Sequence, residues 1–362
     1  MLKRLLVMLC FLCSLFQTKC CFGQVSRTSV LFLLIDPDAR AGGMGGASVA
    51  LSDDALATHY NPAGITGVKR ISGELSYYRW LPELASDLHY FHGSGVIKLA
   101  GYGHVGIAFT YLSLGEKVRT DEFGNVKGTF NSNELAMALS YADQLTDNFS
   151  SGLSAKFIYS SLGERGVGME KGKGTGTTFA LDLGILYKNI LPQLTILGTA
   201  THSDFAKFLS NRKSRGLSIG LSVCNIGPDI SYIDLNQKDP LPTDLRVGGA
   251  YRVVDTDIIG ANLAIDYTKE LVKLNKNSAK DFFDPSRGLI LKFGGEVTFL
   301  YLLTLRGGYH YDKAGDVKHM TYGLGIGPEW VRLNVSFVPE GNWGTSGTTR
   351  FSLNFDYPVS VF

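Results

Sequence analysis

Phe179-Ala180-Leu181-Asp182-Leu183-Gly184-Ile185-Leu186-Tyr187-Lys188 is the stretch that decides the fold. Phe179, Leu181, Leu183, Ile185 and Tyr187 occupy every second place, with Ala180, Asp182, Gly184 and Lys188 between them. Side chains of a strand alternate between two faces, so this spacing makes one face large and apolar and the other mostly small or polar. A helix would instead need a repeat near 3.6. The same period of two runs through Leu135-Met137-Leu139-Tyr141, Leu153-Ala155-Phe157-Tyr159 and Leu217-Ile219-Leu221-Val223. It returns at Val331-Leu333-Val335-Phe337 and Phe351-Leu353-Phe355-Tyr357. The small face carries isolated charges: Lys156, Asp182, Arg246, Asp266, Lys292, Glu296 and Arg306.

A soluble sandwich buries the apolar face and exposes a strongly charged one. A membrane barrel turns the apolar face to lipid and lines its interior with small and polar groups. Composition favours the barrel. Charged residues are 19% of the chain, aromatics 11%, and glycines number 43 of 362. A disordered chain would be polar and poor in aromatics, and a formal net charge of +2 excludes a polybasic nucleic-acid binder. The chain opens on Met1-Leu2-Lys3-Arg4, an apolar run from Leu5 to Phe16 and Cys21-Phe22-Gly23, the pattern of a secretory signal peptide cut before Gln24. Removal of residues 1–23 leaves 32 of 35 bases against 33 acids, a net of −1, and leaves Cys224 alone of five cysteines. The exported chain then has no internal disulfide. No later apolar run reaches the length of a transmembrane helix, so a membrane-spanning form must be a barrel.

About 14 alternating segments are counted between residues 71 and 358. An even count puts both ends on the periplasmic side. Short inner turns are expected at 101–103, 143–148 and 254–256, and long outer connections at 115–130, 162–175, 227–243, 269–286 and 339–347. Segment 189–214 breaks this alternation: it is either a periplasmic excursion or a slip in the count. The expected organisation is a signal peptide (1–23), a plug segment (24–70) and the barrel (71–362).

Residues 31–67 do not alternate. They contain Asp36-Pro37-Asp38-Ala39-Arg40-Ala41-Gly42-Gly43-Met44-Gly45-Gly46, then Asp53-Asp54-Ala55 and Asn61-Pro62-Ala63-Gly64. The glycines permit tight backbone contact, and Asn-Pro marks a turn. Without a following Lys-Ser/Thr the glycine run is not a phosphate loop. These three motifs resemble the N-terminus of the PorV/PorQ family of outer-membrane proteins, which is related to the FadL transporters of hydrophobic compounds. The resemblance continues at Asn225-Ile226-Gly227-Pro228, at Leu241-Pro242-Thr243-Asp244-Leu245-Arg246, at Leu305-Arg306-Gly307-Gly308-Tyr309 and at Arg350-Phe351-Ser352-Leu353. The Asp-Pro-Asp-Ala-Arg form is nearer to PorV.

The resemblance implies an all-β, 14-stranded antiparallel transmembrane barrel, FadL-like, with the N-terminal segment in its lumen. It also implies an outer-membrane component of the type IX secretion system. Such a protein binds the C-terminal signal domain of secreted cargo and carries it from a SprA-type translocon to a PorU-type sortase. The alternative is a FadL-like transporter of hydrophobic small molecules. The plug motif comprises Asp36, Pro37, Ala39, Arg40, Gly42, Met44, Gly45, Asp53, Asp54, Asn61, Pro62 and Gly64, read as structural. A lone buried charge is costly, so Arg40, Asp36 and Asp53 are expected to pair with lumen charges such as Asp182, Arg246 or Glu296. Trp80, Phe282, Phe283 and Trp343 are candidate partner contacts on outer loops, with the outer aromatic girdle as the alternative place for Trp80 and Trp343. No catalytic motif, metal set or cofactor site is read. His89 and His92 fall on opposite strand faces, and His310 and His319 are expected to be solvated beside an outer loop. The expected partners are secreted proteins, the translocon, the sortase and outer-membrane lipid, with no nucleic acid.

Overall fold

The computed structural model describes residues 28–357 except 52, 122, 164–173, 191–215, 233–237, 257, 272–288, 329 and 340–346. Among the described residues, 14 antiparallel strands close into one barrel, each paired to its chain neighbours and the first paired to the last. They are β1 (Ile71–Arg79), β2 (Leu88–Lys98), β3 (His104–Thr120), β4 (Val126–Gln144), β5 (Phe149–Ser161), β6 (Thr175–Tyr187) and β7 (Leu217–Ile226). The second half comprises β8 (Asp244–Asp255), β9 (Ile259–Glu270), β10 (Leu289–Phe299), β11 (Leu303–Asp312), β12 (Val317–Ile326), β13 (Val331–Val338) and β14 (Thr348–Tyr357).

Side-chain alternation along β6 sets inside from outside. Phe179, Leu181 and Leu183 are 65%, 47% and 51% exposed on the outer face, while Ala180 and Asp182 are buried on the inner one. The outer face is what lipid covers. β6 and β7 are direct neighbours, so the strand count does not slip between them, and residues 191–215 of their connection lie outside the described residues.

One outer connection differs from expectation. Residues 115–130 are largely strand. β3 and β4 run on together through Lys117↔Phe130, Val118↔Thr129 and Arg119↔Gly128, and the turn shrinks to residues 121–125. Asp121 closes that turn, its Oδ1 accepting from the backbone N–H groups of Phe123 (3.0 Å) and Asn125 (2.8 Å). Val118, Val126, Thr129 and Phe130 are strand formers, which is why the ribbon continues past the barrel wall.

Residues 28–67 lie in the lumen. A short helix, Ala39–Gly43, starts at Asp38, whose carboxylate accepts from the N–H groups of Arg40 (3.0 Å) and Ala41 (2.8 Å). This helix packs on β11–β14. A second turn, Ala57–Tyr60, leads to a 3-10 segment, Pro62–Gly67, that packs on β3–β6 across the lumen. At the outer end Val30, Phe32 and Leu33 bury themselves against Tyr78, Tyr90, Leu112, Ile158 and Leu241. Toward the opposite end Ala55, Ile65 and Val68 pack on Val96 and Ala142. The middle layer between these two apolar layers is ionic.

Candidate functional site: the ion-paired lumen and the outer rim

Arg40 is the hub of the middle layer. Its Nη1 lies 2.7 Å from Asp53 Oδ1 and 2.6 Å from Asp54 Oδ2, and its Nη2 lies 2.8 Å from Glu296 Oε1 on the wall. Glu296 is shared. Its Oε2 accepts from Arg306 Nε at 3.0 Å, and its Oε1 accepts from Asn262 Nδ2 at 2.9 Å. Arg306 Nη1 reaches Asn334 Oδ1 (2.8 Å), and Asn334 Nδ2 reaches Asn354 Oδ1 (2.7 Å). The network thus ties the lumen segment to β9, β10, β11, β13 and β14. Burial alone would raise the Asp53 carboxyl, but the Arg40 guanidinium overrides it and holds the group down, to about 2. Burial raises Asp54, and the Asp53 charge beside it acts in the same direction. Burial, then Asp54, pushes Asp38 up to about 6.

Asp36 anchors a second contact with the wall. Its Oδ1 lies 3.0 Å from Lys292 Nζ and accepts from Tyr60 Oη at 2.9 Å. Burial opposes the charge on Asp36, but Lys292, Arg350 and His310 together hold its carboxyl well below the usual range. Asp182 and Arg246 are paired elsewhere. Lys156 takes Asp182 at 2.7 Å and Asp244 takes Arg246 at 2.9 Å, while Arg246 Nη1 still donates to the backbone of His59 in the lumen segment (3.0 Å). Lys292 and Arg306 are the partners the sequence could not assign. Both stand out as isolated charges on the small face, but only the barrel register brings them opposite Asp36 and Glu296.

The remaining motif residues hold backbone against backbone. Gly45 has φ +68°, and a Cβ there would stand 2.8 Å from Phe293 O and from the N and O of Tyr309, so only glycine fits between helix end and wall. Met44 is buried beside Gly294, and Gly42 lies against Ser336 and Arg350. The carbonyl of Pro37 accepts from Ser76 Oγ at 2.7 Å, and Ala39 is fully buried. Asn61 is a three-way clip: Oδ1 accepts from Ala63 N–H, and Nδ2 donates to Val49 O and to Ile185 O on β6, each at 3.1 Å. Pro62 and Gly64 are buried in the 3-10 segment, with Pro62 against Gly152 and Gly184 of the wall.

Two expectations are corrected here. Trp80 is half-buried and packs on the Val30–Phe32 cluster, so it serves the lumen rather than standing out as a rim anchor. His310 and His319 are half-buried rather than free beside a loop: their rings stack at 5.1 Å, and His310 Nδ1 lies 3.4 Å from Gly45 O in the lumen segment. Phe282, Phe283 and Trp343 lie outside the described residues. On the rim the described exposed apolar groups include Val118, Phe123 and Val126 of the β3–β4 ribbon, Leu84 of the β1–β2 connection and Leu162 after β5.

Two cavities flank the middle layer. One, of about 560 Å³, opens where the short turns and the chain end lie, and is lined by Arg40, Asp53, Arg252 and Arg332. The other, of about 240 Å³, opens on the side of the β11–β12 turn and is lined by Leu31, Leu34, Asp36 and Lys292. Among the described residues no group of three or more His, Cys, Asp or Glu could hold a metal ion.

Apolar outside, ionic inside, closed and carrying its own N-terminal segment, the molecule is an outer-membrane β-barrel. The family model for the type IX secretion system protein PorV matches residues 22–277, well over half of the chain, and the chain belongs to that family. Comparison with curated proteins gives no match. Among solved structures the fold is similar to the toluene transporter TbuX of Ralstonia pickettii, with TM-score 0.52, 15% identity, and coverage of 89% of this chain and 98% of that one. It is similar also to the toluene transporter TodX of P. putida (TM-score 0.51, 12% identity, 90% and 99% covered). A Pseudomonas aeruginosa FadL homologue gives TM-score 0.51 at 11% identity, with 88% and 98% covered. At such identities the likeness concerns the fold alone.

Proposed function

We propose that this barrel binds the C-terminal signal domain of proteins secreted by the type IX system and carries them from a SprA-type translocon to a PorU-type sortase. It does so as a docking platform rather than through a reaction or a lumen conduit. The observation that carries this reading, beside family membership, is the lumen segment. Residues 28–67 are bonded to the wall through Arg40–Glu296, Asp36–Lys292 and Asn61–Ile185 O, on strands β10 and β6. A conduit for solute would have to break buried ion pairs, each costly to separate. A docking role needs only the outer rim, where apolar groups stand exposed.

The test is affinity purification of the tagged, full-length protein from native outer membranes, with mass spectrometry of proteins and lipids. The proposal expects secreted proteins that share a C-terminal domain, together with translocon or sortase subunits. Recovery of the barrel alone with a stoichiometric hydrophobic solute would contradict it and favour a FadL-like transporter.

A further inference from the structure

The β3–β4 ribbon is longer than its neighbours. β2 pairs with β3 only as far as Leu88↔Leu114, and β5 pairs with β4 only as far as Ser161↔Asn133. Beyond those points 116–120 and 126–131 pair with each other alone, and among the described residues their outer edges have no backbone partner. Successive residues of an antiparallel strand point their N–H and C=O groups to opposite edges. Residues 126–132 lie beyond the last β5 partner and span roughly 24 Å at ~3.4 Å per residue. The alternation is broken at 126–128 by a bulge, with Lys127 as the extra residue and its carbonyl accepting from Arg119 Nη2 (3.2 Å). The regular part of the open edge is therefore 129–131, next to the buried Ser132.

The two edges are not alike. The β3 edge carries Glu116, Lys117 and Arg119, three charges within four residues, the usual guard against strand addition. The β4 edge reads Val126-Lys127-Gly128-Thr129-Phe130-Asn131, without proline and with one charge, and that charge is occupied: Lys127 Nζ lies 3.0 Å from Asp121. Val126 and Phe123 at the tip are 68% and 82% exposed. A row of alternating donors and acceptors is complementary to one kind of protein partner, another extended strand; a helix or a lipid satisfies none of it.

We propose that the β4 edge at 126–132 is a docking site for an extended β-strand of a partner protein, joined by main-chain hydrogen bonds, with Val126 and Phe130 supplying apolar contact. The inference rests on the reading above and names the surface for it: the partner strand belongs to the secreted cargo's C-terminal domain.

The test uses the full-length protein in lipid nanodiscs and, as probe, the isolated C-terminal domain of a protein secreted by the type IX system of the same cell. Backbone hydrogen exchange is followed at 126–132. The expected result is that those of these amides that face outward slow by at least about tenfold when the probe binds. Binding without such slowing overturns the edge-docking proposal while leaving cargo binding intact. Edge amides that are already slow without the probe overturn it too. Failure of the wild-type protein to bind the probe overturns the cargo reading and this proposal together. Thr129→Pro and Phe130→Pro separate edge from ribbon, because one removes an outward donor and the other an inward one. The variant that leaves barrel and ribbon exchange unchanged is the one that has lost the outward donor, and it is expected to weaken binding at least about tenfold. Equal binding by both variants would contradict the proposal.

Discussion

Arg40→Ala is the sharpest perturbation of the lumen segment. The side chain holds three carboxylates, and their fates differ once it is gone. Glu296 keeps Arg306 at 3.0 Å and Asn262 at 2.9 Å, so it loses least. Asp53 is 35% exposed and water takes over much of its charge, so its pair counts for little. Asp54 is only 10% exposed and keeps just the backbone N–H of Leu56, at 3.1 Å. Removing one partner of a buried pair costs roughly 3–5 kcal/mol, and with most of the loss on one carboxylate the lower end applies, about 3 kcal/mol. That corresponds to an increase of roughly a hundredfold in the open population of the lumen segment. The assay is amide exchange at 39–56 in nanodiscs, with exchange in β5 and β6 as the internal standard. Exchange of the segment should accelerate by about that factor while the strands stay slow, because the strand ladder does not depend on Arg40. Adding Asp54→Asn should restore much of the protection, since the orphaned charge is then gone. Unchanged exchange in Arg40→Ala, or equal acceleration in segment and strands, would refute the reasoning.

Gly45→Ala should loosen the same segment by roughly 1–3 kcal/mol, because φ +68° and three backbone atoms at 2.8 Å leave no room for a methyl group; exchange at 42–48 checks it. Lys156→Met leaves the fully buried Asp182 without its cation and should lower the urea midpoint of the barrel by the equivalent of roughly 3–5 kcal/mol, with Lys156→Met/Asp182→Asn recovering most of it. The Arg40–Asp53 pair has a defined pH window. Its carboxyl is held down from 3.8 to about 2, so the stabilisation is fully present above about 4 and is lost as pH falls through about 2. Because Asp53 is 35% exposed, that loss is modest. Amide exchange at 39–56, corrected for the intrinsic rate and referenced to β5 and β6, should quicken by no more than about fivefold between about pH 4 and about pH 2; no change at all would count against the pair.

The strands were legible because one physical cause, lipid on one side and a packed lumen on the other, writes a period of two along each of them. Phe179 to Tyr187 shows this without help from any other part of the chain. The length of the β3–β4 ribbon was harder to read. Its polar residues Glu116, Lys117, Arg119 and Asp121 resemble a loop, while Val118, Val126, Thr129 and Phe130 carry the strand signal at lower density. In the lumen, sequence alone offers Arg40 and Asp36 as charges in search of partners. The identity of those partners depends on register. Lys292 sits opposite Asp266 on β9 and His310 on β11, and only that alignment aims it at Asp36. Trp80 misleads for a similar reason. A tryptophan at a strand end reads as girdle or loop anchor, and nothing local reveals that Val30 and Phe32 come back to cover it.

The most direct test of a secretion role is deletion of the gene, with quantitative proteomics of cell surface, medium and periplasm and complementation by the wild-type chain. The account predicts that proteins bearing the type IX C-terminal domain disappear from the surface and accumulate uncleaved inside the outer membrane, and that complementation returns them. Unchanged surface display of those proteins, with impaired uptake of a hydrophobic solute instead, would contradict it.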